Sequence, residues 1–167
     1  ACGIPILATW NMMVLYPPFW LYWIAPCPTT LGLIYAAHCA LAAWGTFLAL
    51  KRWGVSEHAA AFGGIAFAFG GTFLSGVEYT SPLCTMTWVP WLVILCERFI
   101  EQPSRRGFAL LCLLWGWMLL AGQPEMTFYC GILIGAYVLM RTLETRKVQT
   151  PGNPWHPVLK LVALAVT

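Results

Sequence analysis

Residues 29–50, TTLGLIYAAHCALAAWGTFLAL, run for 22 consecutive positions without a formal charge. As a helix rising ~1.5 Å per residue the run covers ~33 Å, enough to cross a hydrocarbon core of about 30 Å. A helix without a charged face gains nothing from facing water, so this stretch predicts a membrane environment. The rest of the chain agrees with it: 60% of residues are hydrophobic and 9% charged, where soluble domains carry roughly 25% charge.

Further apolar runs cover 59–77, 82–96, 107–121 and 126–140, and another begins near 157. The expected fold is all-α, a polytopic bundle of transmembrane helices. Its predicted parts are an outer-face interfacial or re-entrant segment over 1–28, five complete membrane helices within 29–140, a cytoplasmic linker over 141–156, and a truncated sixth helix over 157–167. The chain begins at Ala1 and stops inside the apolar VLKLVALAVT, which reads as an internal piece of something longer. A secretory signal would need a basic residue ahead of its apolar stretch, and the first Lys or Arg is Lys51.

Placement of charge gives the expected topology. If the runs alternate direction, 51–58, 97–106 and 141–160 share one side, and these stretches hold all nine Lys and Arg. Basic residues collect in cytoplasmic loops, so loops 51–58, 97–106 and 141–156 are expected inside and the N-terminal segment outside. Glu78 and Glu125 are then the only formal charges on the outer side. Glu97, Arg98 and the charged residues of 101–106 read as a solvated helix end.

The runs 82–96, 107–121 and 126–140 are each 15 residues long and as straight helices would cover only ~22 Å. Their outer ends are expected to stop below the membrane surface, and the Gln123-Pro124-Glu125 turn between two of them to line a recess. Glu125 there is either a functional carboxylate or a residue capping the last helix in ordinary water. Before the first helix, LATWNMMVLYPPFWLYWIAPCPTT is rich in Trp and Tyr but interrupted at Pro17-Pro18, Pro26 and Pro28. Such a segment belongs at the headgroup level, as an anchor or as a groove wall. The run AAAFGGIAFAFGGTFLSG suits a tightly packed central helix. It lacks the preceding strand and following Lys-Ser/Thr of a phosphate loop.

Seven cysteines are scattered without a CxxC pair, which excludes a zinc site or disulfide framework; Cys2 and Cys27 remain either a pair or free thiols. His38, mid-run among Ala36, Ala37 and Ala40, either hydrogen-bonds a neighbouring helix or acts as axial ligand to a tetrapyrrole pigment. Pro90 is expected to kink its helix, with Trp88 and Trp91 packing in the core or stacking on a sugar or isoprenoid. His156, between prolines, reads as loop. Basic residues confined to membrane-flanking turns leave no nucleic-acid surface.

In order and spacing, AFAFGGTFLSG, TWVPWLVILCERF and LLAGQPEMTFY resemble the bacterial YfhO-like membrane proteins. GIPILATWNMMVLYPPFWLYWI looks like that family's loop between its first two membrane helices. The resemblance spans most of residues 3–140. It implies a lipid-linked glycosyltransferase class in a bacterial inner membrane, moving a sugar from a polyprenyl phosphate on the outer face. Members often carry His where this chain has Gln123. Related transferases use an acidic residue in the first outer loop; this chain has no Asp, so that acid is upstream of Ala1 or absent. On the outer side the candidate catalytic and metal-binding residues are Glu78 and Glu125, as base or as oxygen ligands of a divalent cation. Asn11, Tyr79 and Gln123 are candidate hydrogen-bonding partners of the substrate, beside the aromatic faces of Trp88 and Trp91. The alternative is a non-catalytic subunit of a pigment or electron-transfer complex, packed by membrane lipids and other membrane subunits.

Overall fold

The computed structural model of the chain describes residues 3, 9–71, 73 and 79–148, with the side chains of 10 and 145–148 left aside. Glu78, Cys2, His156, most of the expected 141–156 linker and the expected sixth helix over 157–167 lie outside the described residues. A 3-10 turn at Trp10–Met12 leads into α1 (Pro17–Ile24), α2 (Pro28–Arg52) and α3 (Glu57–Ala68). Then follow α4 (Thr80–Met86), α5 (Val89–Glu101), α6 (Arg105–Leu120) and α7 (Pro124–Val148). Among the described residues there is no strand, as the composition requires of a chain with no sheet to close in lipid.

Three segments are long and apolar enough to cross a membrane: Pro28–Arg52, Thr80–Glu101 and Pro124–Glu144. α3 and α6, at 12 and 16 residues, are shorter. Of the expected helix over 59–77, α3 supplies the part to Ala68, where Phe69 leaves helical geometry ahead of Gly70; Gly71 and Phe73 are again helical, and residues 72 and 74–77 lie outside the described residues. Two of the three runs expected to be short are not. The run at 82–96 sits in a 22-residue segment, and the run at 126–140 in a 25-residue helix. Polar residues continue both helices: Thr80 and Ser81 precede one, while Arg141 to Val148 extend the other through what was expected to be linker. The added length of α7 lies at its basic end, and its other end still begins at Pro124, beside Gln123 and Glu125.

Connections are made by a small vocabulary of caps. After α2, Gly54 adopts φ +81°, its N–H bonding Lys51 O while Val55 N–H bonds Leu50 O. These are the two bonds of the glycine-terminated helix end, and only glycine takes that φ without strain. After α6, Gly122 at φ +90° does the same, its N–H reaching Leu119 O, and Pro124 starts α7 one residue past Gln123. Pro is suited to the first helical turn because its missing N–H would be unpaired there. The sequence GQP is thus the hinge of a tight αα-hairpin.

Pro90 acts as expected, but its effect falls upstream. A proline removes a hydrogen bond to, and crowds, the carbonyl four residues before it, here Met86. The helix breaks at Thr87 and Trp88, where Trp88 N–H shifts to Thr85 O, and resumes as α5.

α2 is the central helix, packing on α1, α3, α4 and α5. Gly64 allows α3 to approach closely, since a Cβ there would stand 2.6 Å from the Ala43 carbonyl oxygen. One apolar core joins Met13, Tyr16 and Phe19 to Ile34, Ala42, Leu83 and Cys84; a second joins Leu92, Met118, Cys130 and Ile134 across α5, α6 and α7. Threonine hydroxyls inside these helices bond back to the carbonyl four residues earlier, as Thr46, Thr85 and Thr142 do.

Candidate functional site

The ends of α2, α5 and α7 that carry basic residues come together. Arg141 grips Glu97 with Nε at 2.8 Å from Oε1 and Nη2 at 3.1 Å from Oε2, and Tyr137 donates to the same carboxylate. Arg52 pairs with Glu101, and Arg141 also reaches Glu144 at 3.1 Å. The expected solvated helix end is corrected here: the Glu97 side chain is 4% exposed, inside the bundle and held by a two-pronged arginine.

At the opposite end polar contacts are neutral. Tyr35 Oη lies 2.7 Å from Thr80 Oγ1, and Ser81 donates to Gln123 Oε1 at 2.7 Å, fixing the start of α4 against the start of α7. Three of the residues singled out in the sequence sit at this end. Gln123 is engaged with Ser81, Tyr79 is largely exposed just ahead of α4, and Glu125 stands exposed in the first turn of α7. There a carboxylate complements the helix dipole. Asn11 is exposed on the turn before α1. Among the described residues no three of His, Cys, Asp and Glu converge to hold a metal ion.

Between the two ends lies a buried relay. The Trp88 indole N–H donates to Tyr16 Oη at 2.9 Å, and Tyr16 Oη is 2.8 Å from His38 Nε2. His38 Nδ1 is 2.7 Å from Ile34 O, and a carbonyl only accepts, so the proton sits on Nδ1 and Nε2 accepts from Tyr16. Burial holds the Tyr16 phenol well above its usual range, which keeps it a donor. Both imidazole nitrogens are thereby used, and a tetrapyrrole metal would have to displace one of these bonds. Tyr16 lies just before α1 and is fully buried, so the relay ties the N-terminal element to α2 and α5. Trp117 stands edge-on to both Tyr16 and Trp88, at ring separations of 5.7 and 6.2 Å. Tyr16 was not singled out in the sequence. Its signal was available: a lone histidine in an apolar helix requires a hydrogen-bonding partner, and tyrosine is a type able to supply one at such depth.

Trp88 and Trp91 also line a groove of about 540 Å³ between α2, α5 and α6. Its walls are three stripes at helical spacing: Trp88, Trp91, Leu95 and Arg98 along α5, Leu110, Leu113, Leu114 and Trp117 along α6, and Leu48 with Arg52 on α2. Gly45 makes room for one wall, since a Cβ there would meet Trp91 Nε1 at 2.7 Å. The Trp91 indole N–H is itself spent on Leu41 O at 3.2 Å, so Trp91 offers the groove an apolar face. Because α5 and α6 are antiparallel, Trp88 and Trp117 mark one end, and Arg52 and Arg98 the other.

No protein-family model, no curated protein and no solved structure matches the chain.

Proposed function

We propose that the chain is the membrane-embedded helical part of a YfhO-like protein that transfers sugar from a polyprenyl phosphate on the outer face of a bacterial inner membrane. In this reading α3 and α6 cross together with their flanking residues, giving five crossings. The basic end faces the cytoplasm, and the end carrying Tyr79, Gln123 and Glu125 faces out. The observation that carries the reading is the Ser81–Gln123 hydrogen bond, which sets α4 and α7 side by side where those residues gather.

Chemically the transfer needs a base. A carboxylate, Glu125 or the chain-neighbour of Tyr79, Glu78, takes the proton of the acceptor hydroxyl as its oxygen bonds the anomeric carbon. The bond from that carbon to the phosphate oxygen breaks, and the polyprenyl phosphate leaves with the electron pair. Glu78→Gln and Glu125→Gln, each made in the full-length protein and assayed in vesicles with a polyprenyl-phosphate-linked sugar, test the assignment. At least one should lower transfer by about 10²-fold or more; wild-type rates in both would sink it.

A second reading, a non-catalytic subunit packed by lipid, is favoured by the groove. With both nitrogens of His38 engaged, it takes the form of a colourless lipid-holding subunit rather than a pigment carrier. An absorption band in the purified chain assigned to a tetrapyrrole would reverse that preference.

A further inference from the structure

We infer that the groove between α2, α5 and α6 is a site for one anionic phospholipid of the leaflet on the basic side, its phosphate on Arg98 and Arg52 and one acyl chain lying against Trp91, Leu95 and Leu113. The inference does not depend on sugar transfer at the opposite end.

Length makes the first case. From Trp88 to Arg98 the α5 wall advances ten residues, or ~15 Å, half of a hydrocarbon core of about 30 Å. The groove therefore has the depth of a single leaflet. A long isoprenoid spanning to the outer face would overrun it, whereas a phospholipid chain with its headgroup at the arginines fits within it.

Charge makes the second. Arg52 is partly committed to Glu101, but among the described residues Arg98 makes no ion pair and is exposed at the mouth. Arg105 and Arg106 open α6 at the same end of the bundle, five and four positions before Leu110, the first α6 residue of the groove. The α6 N-terminus adds its own partial positive charge. Guanidinium groups match phosphate oxygens in a fork geometry, and basic pockets between membrane helices on that side are suited to acidic lipid headgroups. Phosphatidylcholine presents the same phosphate but offsets it with a cation, which the arginines would repel.

The test is native mass spectrometry of the full chain in mild detergent, titrated with phosphatidylglycerol or phosphatidylcholine of identical acyl chains. One phosphatidylglycerol per chain should be retained at concentrations where phosphatidylcholine is not. Arg98→Gln should weaken retention roughly tenfold, the loss of a charge-assisted contact. Leu113→Trp should reduce it by filling the groove, at a position 69% exposed and so tolerant of the larger ring. Excess inorganic phosphate should fail to displace the lipid. Equal retention of the two lipids, an unaltered Arg98→Gln titration, or displacement by phosphate alone would each overturn the site.

Discussion

The two ends of this bundle solve one problem by different chemistry. At the basic end α5 and α7 are locked by charge, with Glu97 held by Arg141 and Tyr137. Toward the other end the locks are neutral: Trp88 to Tyr16 to His38, Tyr35 with Thr80, and Ser81 with Gln123. The difference teaches where each kind of polar group is tolerable. An ion pair needs a polar surrounding for whatever its partner leaves unsatisfied, and Arg141, 40% exposed, keeps part of its guanidinium at the surface of the bundle. A neutral chain of donors and acceptors needs none, provided every member is used.

The largest expected effect comes from breaking the charged lock on its exposed side. Arg141→Ala leaves the buried Glu97 carboxylate without its cation and should cost about 3 kcal/mol of stability, read from denaturant unfolding in detergent. Glu97→Gln should cost less, because the arginine it frees can turn to water. Equal losses from both would show that the burial of Glu97 does not govern this end.

Next comes the neutral relay. Tyr16→Phe strands His38 Nε2 and the Trp88 N–H together and should destabilise by about 2 kcal/mol. Adding His38→Leu should recover part of that, since an unpaired acceptor is worse than none. If Tyr16→Phe alone is silent, the relay is not what fixes the N-terminal element.

That the charged residues gather at one end was legible in the sequence, from their placement between the apolar runs. The structure brings Arg52, Glu97, Glu101 and Arg141 together there. The start of α2 was legible within one residue, because Lys51-Arg52 and Pro28 bracket an uncharged run. The extents of α5 and α7 were not. Charged residues were read as helix ends, whereas Glu97 and Arg141 lie inside their helices and neutralise each other across 44 positions, a pairing no local pattern reveals. Within the run at 59–77 glycine serves two ends, Gly64 packing against Ala43 and Gly70 following the end of α3, and composition alone does not separate the two uses. Of the residues proposed for function, Gln123 and Glu125 sit together at the short GQP hairpin, while Tyr79 joins that end through the Ser81–Gln123 bond, a contact across 42 positions that no local pattern reveals. The arginine mouth of the groove did not, although Trp88, Trp91, Leu95 and Arg98 already share a helical stripe.

The smallest effect sharpens the comparison by asking which end faces which compartment. Cys27 is exposed ahead of α2, and the Thr30 hydroxyl 3.0 Å from its Sγ lowers the thiol below its ordinary range. More thiolate is then present at neutral pH, so a membrane-impermeant maleimide should label Cys27 readily from the outer face, and Thr30→Ala should slow the reaction a few-fold. Labelling only from the cytoplasmic side would invert the bundle.

The Glu97–Arg141 lock also sets an order of events at the ribosome. The carboxylate is synthesised 44 residues ahead of its cation, an interval of roughly 2–9 s at ordinary elongation rates. During it, the segment Thr80–Glu101 carries the Glu97 carboxylate without the two-pronged arginine that later grips it, and a carboxylate so placed is costly in lipid. Arrival of α7 therefore does more than complete the bundle: it brings the partner that Glu97 lacks until then.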